Sequence, residues 1–335
     1  MKLNKSEIIN LLPHREPMLL IDKLTNIVPL KSATAIMYVK KNGFYVQGHF
    51  PDQPVMPGVL IVEAFGQAAA ALTAAGIDKN SKISEDVEIG PYCVIGSEVE
   101  IASNSKLHSH VSIKGNTKIG KNNEIFPFVS IGTPPQDLKY KGEKNSIIIG
   151  DNNKFREYVN INPGTSQGGT ITKLGNNNLL MVYCHVAHDC ILGDNIVLAN
   201  NVQVGGHVTI ENNAIVGGSC AIHQFSRIGN LAMVGGMTGV LSDVIPYGLS
   251  LGNRNNLVGL NLIGLRRAKI SNEDIKILQK FYDIVFCNQN FRSNIETLNT
   301  EIKENKYVKI IIDFINSDKK RPISLPENIK WLDYF

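Results

Sequence analysis

Along most of the chain the apolar positions recur at every sixth residue, with polar residues between them. Ile77, Ile83, Ile89, Ile95, Ile101, Leu107, Ile113, Ile119, Ile125 and Ile131 keep that step without a break. It resumes at Leu174 and runs through Leu180, Val186, Leu192, Leu198, Val204, Ile210, Val216, Ile222, Ile228, Val234 and Val240. In many hexads a small or β-branched residue stands two positions earlier: Val87, Cys93, Val99, Val111, Thr117, Val129, Ala214, Cys220. A helix repeats its buried face roughly every 3.6 residues and a strand every 2, so neither explains the step. A short strand followed by a turn does, and three such units close one coil of a parallel β-helix. Three hexads make a coil of about 18 residues, stacked about 4.8 Å from the next.

That coil length predicts which distant residues meet. His188, then Gly206 and His207, then the run from His223 to Phe225 are one coil apart, give or take a residue, so three histidines are expected to converge. His188 is followed directly by Asp189. An imidazole titrating near neutrality is the usual general base for a hydroxyl, and an adjacent carboxylate fixes its tautomer. His185 reads more readily as a structural histidine. The pattern fails twice. Between Ile131 and Ile149 two prolines and a glycine mark a loop that leaves the solenoid, either a plain surface excursion or a flap whose Asp137 and Lys139 reach over a ligand on a neighbouring subunit. Residues 163–169 shift the phase by one and form a second candidate loop.

The chain has 335 residues, 43% of them hydrophobic, enough for two or three packed units. A formal charge of +4 with scattered Lys and Arg excludes a nucleic-acid-binding stripe. The five cysteines have no C-x-x-C spacing and read as small buried residues of a reducing compartment. A zinc site built from Cys184, Cys190 and the nearby histidines is the alternative, and no metal is expected. The N-terminus lacks the apolar run of a signal peptide. Residues 59–76 are apolar but carry Glu63 and Gln67, which suits a buried helix better than a membrane span. A cytoplasmic protein without a membrane span is the expectation.

Ahead of the repeats, residues 5–12 are a helix candidate, 18–21 and 32–40 strand candidates, and 59–75 a long helix opened by Pro57 and Gly58. LPHREPMLLID and GHFPDQPVMPGVLIVEAFGQAAA, in that order, resemble the (R)-3-hydroxyacyl-acyl-carrier-protein dehydratases of the hotdog fold. The resemblance implies an acid–base pair at His49 and Glu63, with the Gly58 N–H polarising the carbonyl. A hotdog domain wraps its long helix with several further strands, whereas this chain runs straight from the helix into the repeats. Residues 1–76 are therefore expected to be a truncated fragment with a vestigial pair.

From about residue 77 onward a second resemblance takes over. IGPYCVIG, SHVSIKGNTKIG, IFPFVSIGTPPQDLKYKGE, NNLLMVYCHVAHDC, GGHV, AIHQF, MVGGMTGV, IPYG and GLNLIGLRR are similar to the UDP-N-acetylglucosamine acyltransferase family. The resemblance implies a mainly β architecture: a left-handed parallel β-helix of hexapeptide repeats over 77–250, an α-helical C-terminal domain over 251–335, and a homotrimer with active sites between subunits. It implies transfer of an (R)-3-hydroxyacyl group from acyl carrier protein to the 3-hydroxyl of UDP-N-acetylglucosamine, the first step of lipid A biosynthesis. No bound cofactor is implied, because phosphopantetheine arrives on the donor. By motif the general base falls on His188, its orienting carboxylate on Asp189 and the oxyanion N–H on Gly206. Asp137, Lys139, His185, His207 and His223 fall where the sugar nucleotide or acyl chain is contacted. Gln224, Asn261 and Arg267 fall around the uridine and phosphates. At 266–268 the chain reads Arg-Arg-Ala, so one expected arginine is missing. Gly236 and Arg254 are candidates for setting acyl length. A bifunctional protein that also dehydrates 3-hydroxyacyl-acyl carrier protein is the second reading, and a non-catalytic scaffold the third.

After residue 250 the hexad step is gone. Ser271 with Glu273 and Asp274 signals a helix start, and Ile275, Leu278, Phe281, Tyr282 and Val285 follow at helical spacing. Residues 295–304 and 307–316 read as further helices that cap the solenoid. Arg254, Arg266, Arg267 and Lys269 make a basic patch suited to an acidic carrier protein.

Overall fold

The computed structural model describes residues 2–28, 32–46, 55–74 and 76–327. The hexads form a left-handed parallel β-helix, with short strands stacked eight deep in each of three sheets among the described residues; a C-terminal hairpin extends one sheet to ten. Within the array each strand pairs with those one coil before and after, as in the register Val186 to Val204 to Ile222. Every hexad leader from Ile95 to Ile131 and from Leu174 to Val240 points inward, and each is no more than 3% exposed. The small residues two positions earlier are buried beside them, which is why bulky side chains are excluded there.

The two interruptions leave the stack intact. Lys118 pairs with Ile148 across the first and Ser146 with Ile171 across the second, at offsets of 30 and 25 residues instead of 18. Each loop is thus extruded at a corner while the strands on either side stay in register.

Corners are made by residues in the left-handed region, where a side chain ordinarily costs about 1–2 kcal/mol. One column uses asparagine, which tolerates that region best: Asn104, Asn122, Asn152, Asn177, Asn195, Asn213. A second uses rings. Tyr92, His110, Phe128, Tyr158 and Tyr183 stack face to face at centroid spacings of 4.8 to 5.0 Å, set by the coil repeat. The third column carries Asp189, His207 and Phe225.

In the N-terminal unit, strands Leu3–Asn4, Lys23–Val28 and Ser32–Ile36 form an antiparallel sheet that packs with the helix Gly58–Ala74. The first helix is Lys5–Ile9, closed by a capping box between Asn4 and Glu7. The segment 18–21, expected as a strand, is not one. The buried Gln67 side chain accepts from the Leu20 N–H at 2.9 Å and donates to the Met18 carbonyl at 2.7 Å, so part of its backbone is satisfied by a helix residue instead of a neighbouring strand. The outer face of the long helix is apolar and bare: Val59, Val62 and Phe65 are more than 70% exposed. Among the described residues no further strand covers it, and the chain enters the first coil at Ile77.

The C-terminal unit opens with a hairpin, Gly248–Leu251 and Asn256–Leu260, followed by helices Leu262–Arg267, Asn272–Val285, Phe291–Glu296, Thr300–Glu304 and Lys306–Ser317. The expected helix at 295–304 is split, because Asn299 caps a new start by accepting from the Ile302 N–H at 2.9 Å. Asp243, fully buried, ties the last coil to this unit. Its carboxylate accepts from the Arg227 N–H at 2.8 Å and Nε at 2.7 Å, with Arg321 Nε 3.5 Å away. No helix among the described residues is long and apolar enough to cross a membrane.

Candidate active site

Strand His185–Val186 delivers the chain to the corner where His188 and Asp189 lie. Nδ1 of His188 is 2.9 Å from Oδ2 of Asp189, and among the described residues nothing is bonded to its Nε2. The imidazole keeps a narrow window on solvent (12% exposed) while the carboxylate beneath it is 1% exposed. A buried carboxylate needs partners, and this one has them. Its oxygens accept from the Thr165 N–H at 2.9 and 3.0 Å and from the Thr165 hydroxyl at 2.6 Å. The Asp189 N–H in turn donates to the Thr172 hydroxyl at 2.9 Å. Thr165 belongs to the second loop, whose Gly164 and Gly168 backbones lie against the same carboxylate.

One coil up, the Gly206 backbone packs against the His188 ring; a Cβ there would come 2.5 Å from Cε1 and 2.7 Å from Nε2. The N–H groups of Gly205 and His207 are bonded to Ile222 O and His188 O at 2.9 Å each, whereas the Gly206 N–H has no partner among the described residues. A free donor therefore sits beside the open edge of the base. His207 meets His188 edge to face at 4.9 Å and stacks on Phe225 at 4.4 Å. Burial holds its pKa below the ordinary imidazole value, the Asp189 charge opposes this, and His188 adds to it. Asp137 and Lys139 of the same chain also act on His207, in opposite directions.

The first loop folds back on its own chain. Lys139 Nζ donates to Gln167 Oε1 at 3.2 Å, and Glu143 accepts from the Ser166 N–H at 3.0 Å. The Lys139 N–H donates to Asp137 Oδ1 at 2.9 Å, fixing the turn that carries both side chains. His185 bonds Asn160 through Nδ1 at 2.8 Å, and its pKa is lowered by burial and then by His188. His223 is exposed, bonded through Nδ1 to the Gln224 carbonyl at 3.0 Å, and no described contact joins it to the other two histidines. The register explains this: His223 follows Ala187 and Gly205, so it is Gln224 that follows His188 and Gly206. Asn261 caps the helix Leu262–Arg267, with Oδ1 accepting from Gly264 N–H and Nδ2 donating to the Leu231 carbonyl. Arg267 ends that helix, exposed.

Cys184 and Cys190 point inward and donate to backbone carbonyls, with thiols pushed up to about 11 and about 12 by burial. Such thiols are core residues, not ligands. His188, Asp189 and His207 lie close enough to share a cation, but Asp189 Oδ2, the oxygen facing both histidines, already accepts from Thr165 and pairs with His188. In the N-terminal unit Glu63 accepts from Gln67 Nε2 at 3.0 Å and pairs with His14 Nε2 at 3.3 Å. His49 lies outside the described residues. Thr165 and Thr172 were not foreseen, and the phase shift at 163–169 was the one sequence signal that pointed near them.

Comparison with known proteins identifies what each part of the chain is similar to. Residues 12–91 match the FabA-like domain, 171–206 the bacterial transferase hexapeptide (six repeats), and 243–324 domain 2 of UDP-N-acetylglucosamine O-acyltransferase. The acyl-[acyl-carrier-protein]–UDP-N-acetylglucosamine O-acyltransferase of Aliarcobacter butzleri is 44% identical over 244 residues, 73% of this chain and 94% of that protein. Its counterpart from Thermodesulfovibrio yellowstonii is 43% identical over 245 residues, 95% of its length. Among solved structures, LpxA from Acinetobacter baumannii superposes with a TM-score of 0.71 at 42% identity, covering 75% of this chain and 97% of that one. The Francisella novicida UDP-N-acetylglucosamine acyltransferase gives the same TM-score at 34% identity, covering 77% and 98%. With nearly the whole length of those enzymes matched by its solenoid and helical cap, this chain belongs to the acyl-[acyl-carrier-protein]–UDP-N-acetylglucosamine O-acyltransferase family.

Proposed function

We propose that this protein transfers an (R)-3-hydroxyacyl group from acyl carrier protein to the 3-hydroxyl of UDP-N-acetylglucosamine, the entry step of lipid A biosynthesis in the cytoplasm. One observation carries the reading: the His188 imidazole is bonded through Nδ1 to a buried carboxylate, and its Nε2 lies beside the Gly206 N–H, neither of them partnered among the described residues. Nε2 takes the proton of the sugar hydroxyl as that oxygen attacks the thioester carbonyl. Asp189 stabilises the imidazolium that forms. The Gly206 N–H receives the negative charge developing on the carbonyl oxygen. When the C–S bond breaks, the imidazolium returns its proton to the departing phosphopantetheine sulfur. Burial lowers the His207 pKa and so favours its neutral form, which suits a residue lining the path of an acyl chain.

Asp137, Lys139, His185 and His223 are assigned to the sugar nucleotide and acyl chain, and Gln224, Asn261 and Arg267 to the uridine and phosphates. The exposed Arg254, Arg266 and Arg267 suit the acidic carrier protein. The site lies at a corner of the solenoid, where a second subunit packed alongside would complete a pocket. A homotrimer of parallel solenoids supplies that subunit. Residues 1–76 are read as a hotdog fragment, 77–250 as the catalytic solenoid and 251–335 as the helical unit.

The test is a mass-spectrometric assay of the purified protein with UDP-N-acetylglucosamine and a panel of 3-hydroxyacyl-acyl carrier proteins. His188→Ala is expected to lose about 10²–10⁴-fold in turnover while keeping its fold, the usual cost of a missing general base. A variant retaining a third or so of parental turnover would show the base to lie elsewhere.

A further inference from the structure

We propose that Thr165 is the positioning residue that sets the general base, an inference that rests on His188 acting as that base. Two hydrogen bonds from Thr165, one from its N–H and one from its hydroxyl, hold the Asp189 carboxylate. Both threonine donors are buried and engage the same group, whereas Asp189 offers His188 a single oxygen at 2.9 Å. The direction in which that oxygen faces therefore depends on Thr165. A carboxylate rotated away would leave Nδ1 free to lose its proton, and the neutral imidazole would then present a protonated, useless Nε2.

The loop that carries Thr165 is built for this contact. Gly164 stands so near that a Cβ would lie 2.7 Å from Asp189 Oδ1, and a Cβ at Gly168 would overlap the carboxylate itself. Only a chain without side chains at both places can close around Asp189. The seven residues that this corner adds to an 18-residue coil supply the length for the loop to turn inward here. Two residues beyond Thr165, Gln167 accepts from Lys139 Nζ at 3.2 Å, and between them the Ser166 N–H donates to Glu143. One seven-residue loop thus references the base and the Lys139 loop to each other. Substrate engaging Lys139 is felt at the loop that orients the base.

Thr165→Val tests the hydroxyl while keeping its shape and the backbone donor. Turnover at saturating substrates is expected to fall about tenfold or more, the usual worth of a hydrogen bond to a charged group. KM for UDP-N-acetylglucosamine should stay within about twofold, because the loss falls on the transition state and not on binding. Thr165→Ser should restore turnover to within about threefold of the parent. Nitrogen-15 NMR of His188 supplies a readout that a merely structural role would not move: the neutral Nδ1–H tautomer in the parent and Thr165→Ser, a mixture in Thr165→Val. If the valine variant does not fold, Thr165→Ala is read in the same way. A folded variant with turnover within about twofold of the parent, or an unchanged tautomer, overturns the proposal. If His188→Ala abolishes transfer while Thr165→Val does not, this inference alone has failed. If His188→Ala leaves transfer intact, the reading beneath it has failed instead.

Discussion

Gly206 and His188 touch backbone to ring across one coil, with no room for a methyl group between them. Adding one would push the imidazole off the position that Asp189 holds it in, or push the Gly206 N–H away from it. Gly206→Ala is therefore expected to fold, since a corner lies outside the core, yet to lose on the order of 10²-fold in turnover, the cost of misplacing a reacting group by about 1 Å. Steady-state turnover alongside thermal melting checks it. A variant within about threefold of the parent would mean that the ring and the glycine need not stay in register during the reaction.

The two histidines with lowered pKa give stability a direction in pH. His185 and His207 both bind a proton less readily in the folded chain than at the ordinary value of 6.5. As pH falls through that value the unfolded chain takes up protons that the folded chain refuses, so stability falls with it; above about pH 7 neither residue contributes a slope. The melting temperature is expected to drop between about pH 7 and pH 5.5, and to drop less in His185→Gln. Equal slopes for parent and variant would remove His185 from the explanation.

Asp243, itself fully buried, faces two guanidinium groups that are only partly exposed. Taking its charge away leaves Arg227, and Arg321 near it, largely shielded from solvent without their counter-ion. Breaking one side of such a pair typically costs about 3–5 kcal/mol. Asp243→Asn should lower the urea midpoint accordingly and loosen the C-terminal unit first, as read by proteolysis between residues 243 and 262. A loss below about 1 kcal/mol would show that the arginines find other partners.

Dehydratase chemistry is not expected from the N-terminal unit. Glu63 is already engaged by His14 and Gln67, and the long helix beside it shows a bare apolar face where a complete hotdog would have sheet. Incubated with 3-hydroxyacyl-acyl carrier protein alone, the protein should leave the donor unchanged, and Glu63→Gln should transfer acyl groups at the parental rate. A trans-2-enoyl product that disappears in His49→Ala would make the protein bifunctional.

The solenoid was readable because each hexad repeats one packing decision, so Ile95 or Val216 announces its place without help from the rest of the chain. The base and its carboxylate were readable too, from adjacency and from the coil length that brings Gly206 to them. Other features depend on contacts that no local pattern records. Thr165 reaches Asp189 from 24 residues away through a loop with irregular phase. His223 drops out of the cluster by a single position, which along a strand is enough to change the direction of a side chain. Residues 18–21 looked like a strand because they are apolar, but Gln67 on a distant helix takes up part of their backbone hydrogen bonding.

The offsets of 30 and 25 residues, after which the strands resume in register, bear on how such an enzyme can change. A corner can lengthen by a dozen residues while the strands on both sides keep their neighbours, so new chemistry is added without renegotiating the core. Here the two enlarged corners belong to consecutive coils, and the loops they release are joined through Lys139 and Gln167. Substrate preference in this architecture is then free to drift through loop length and sequence alone, one coil at a time, against a scaffold that does not register the edit.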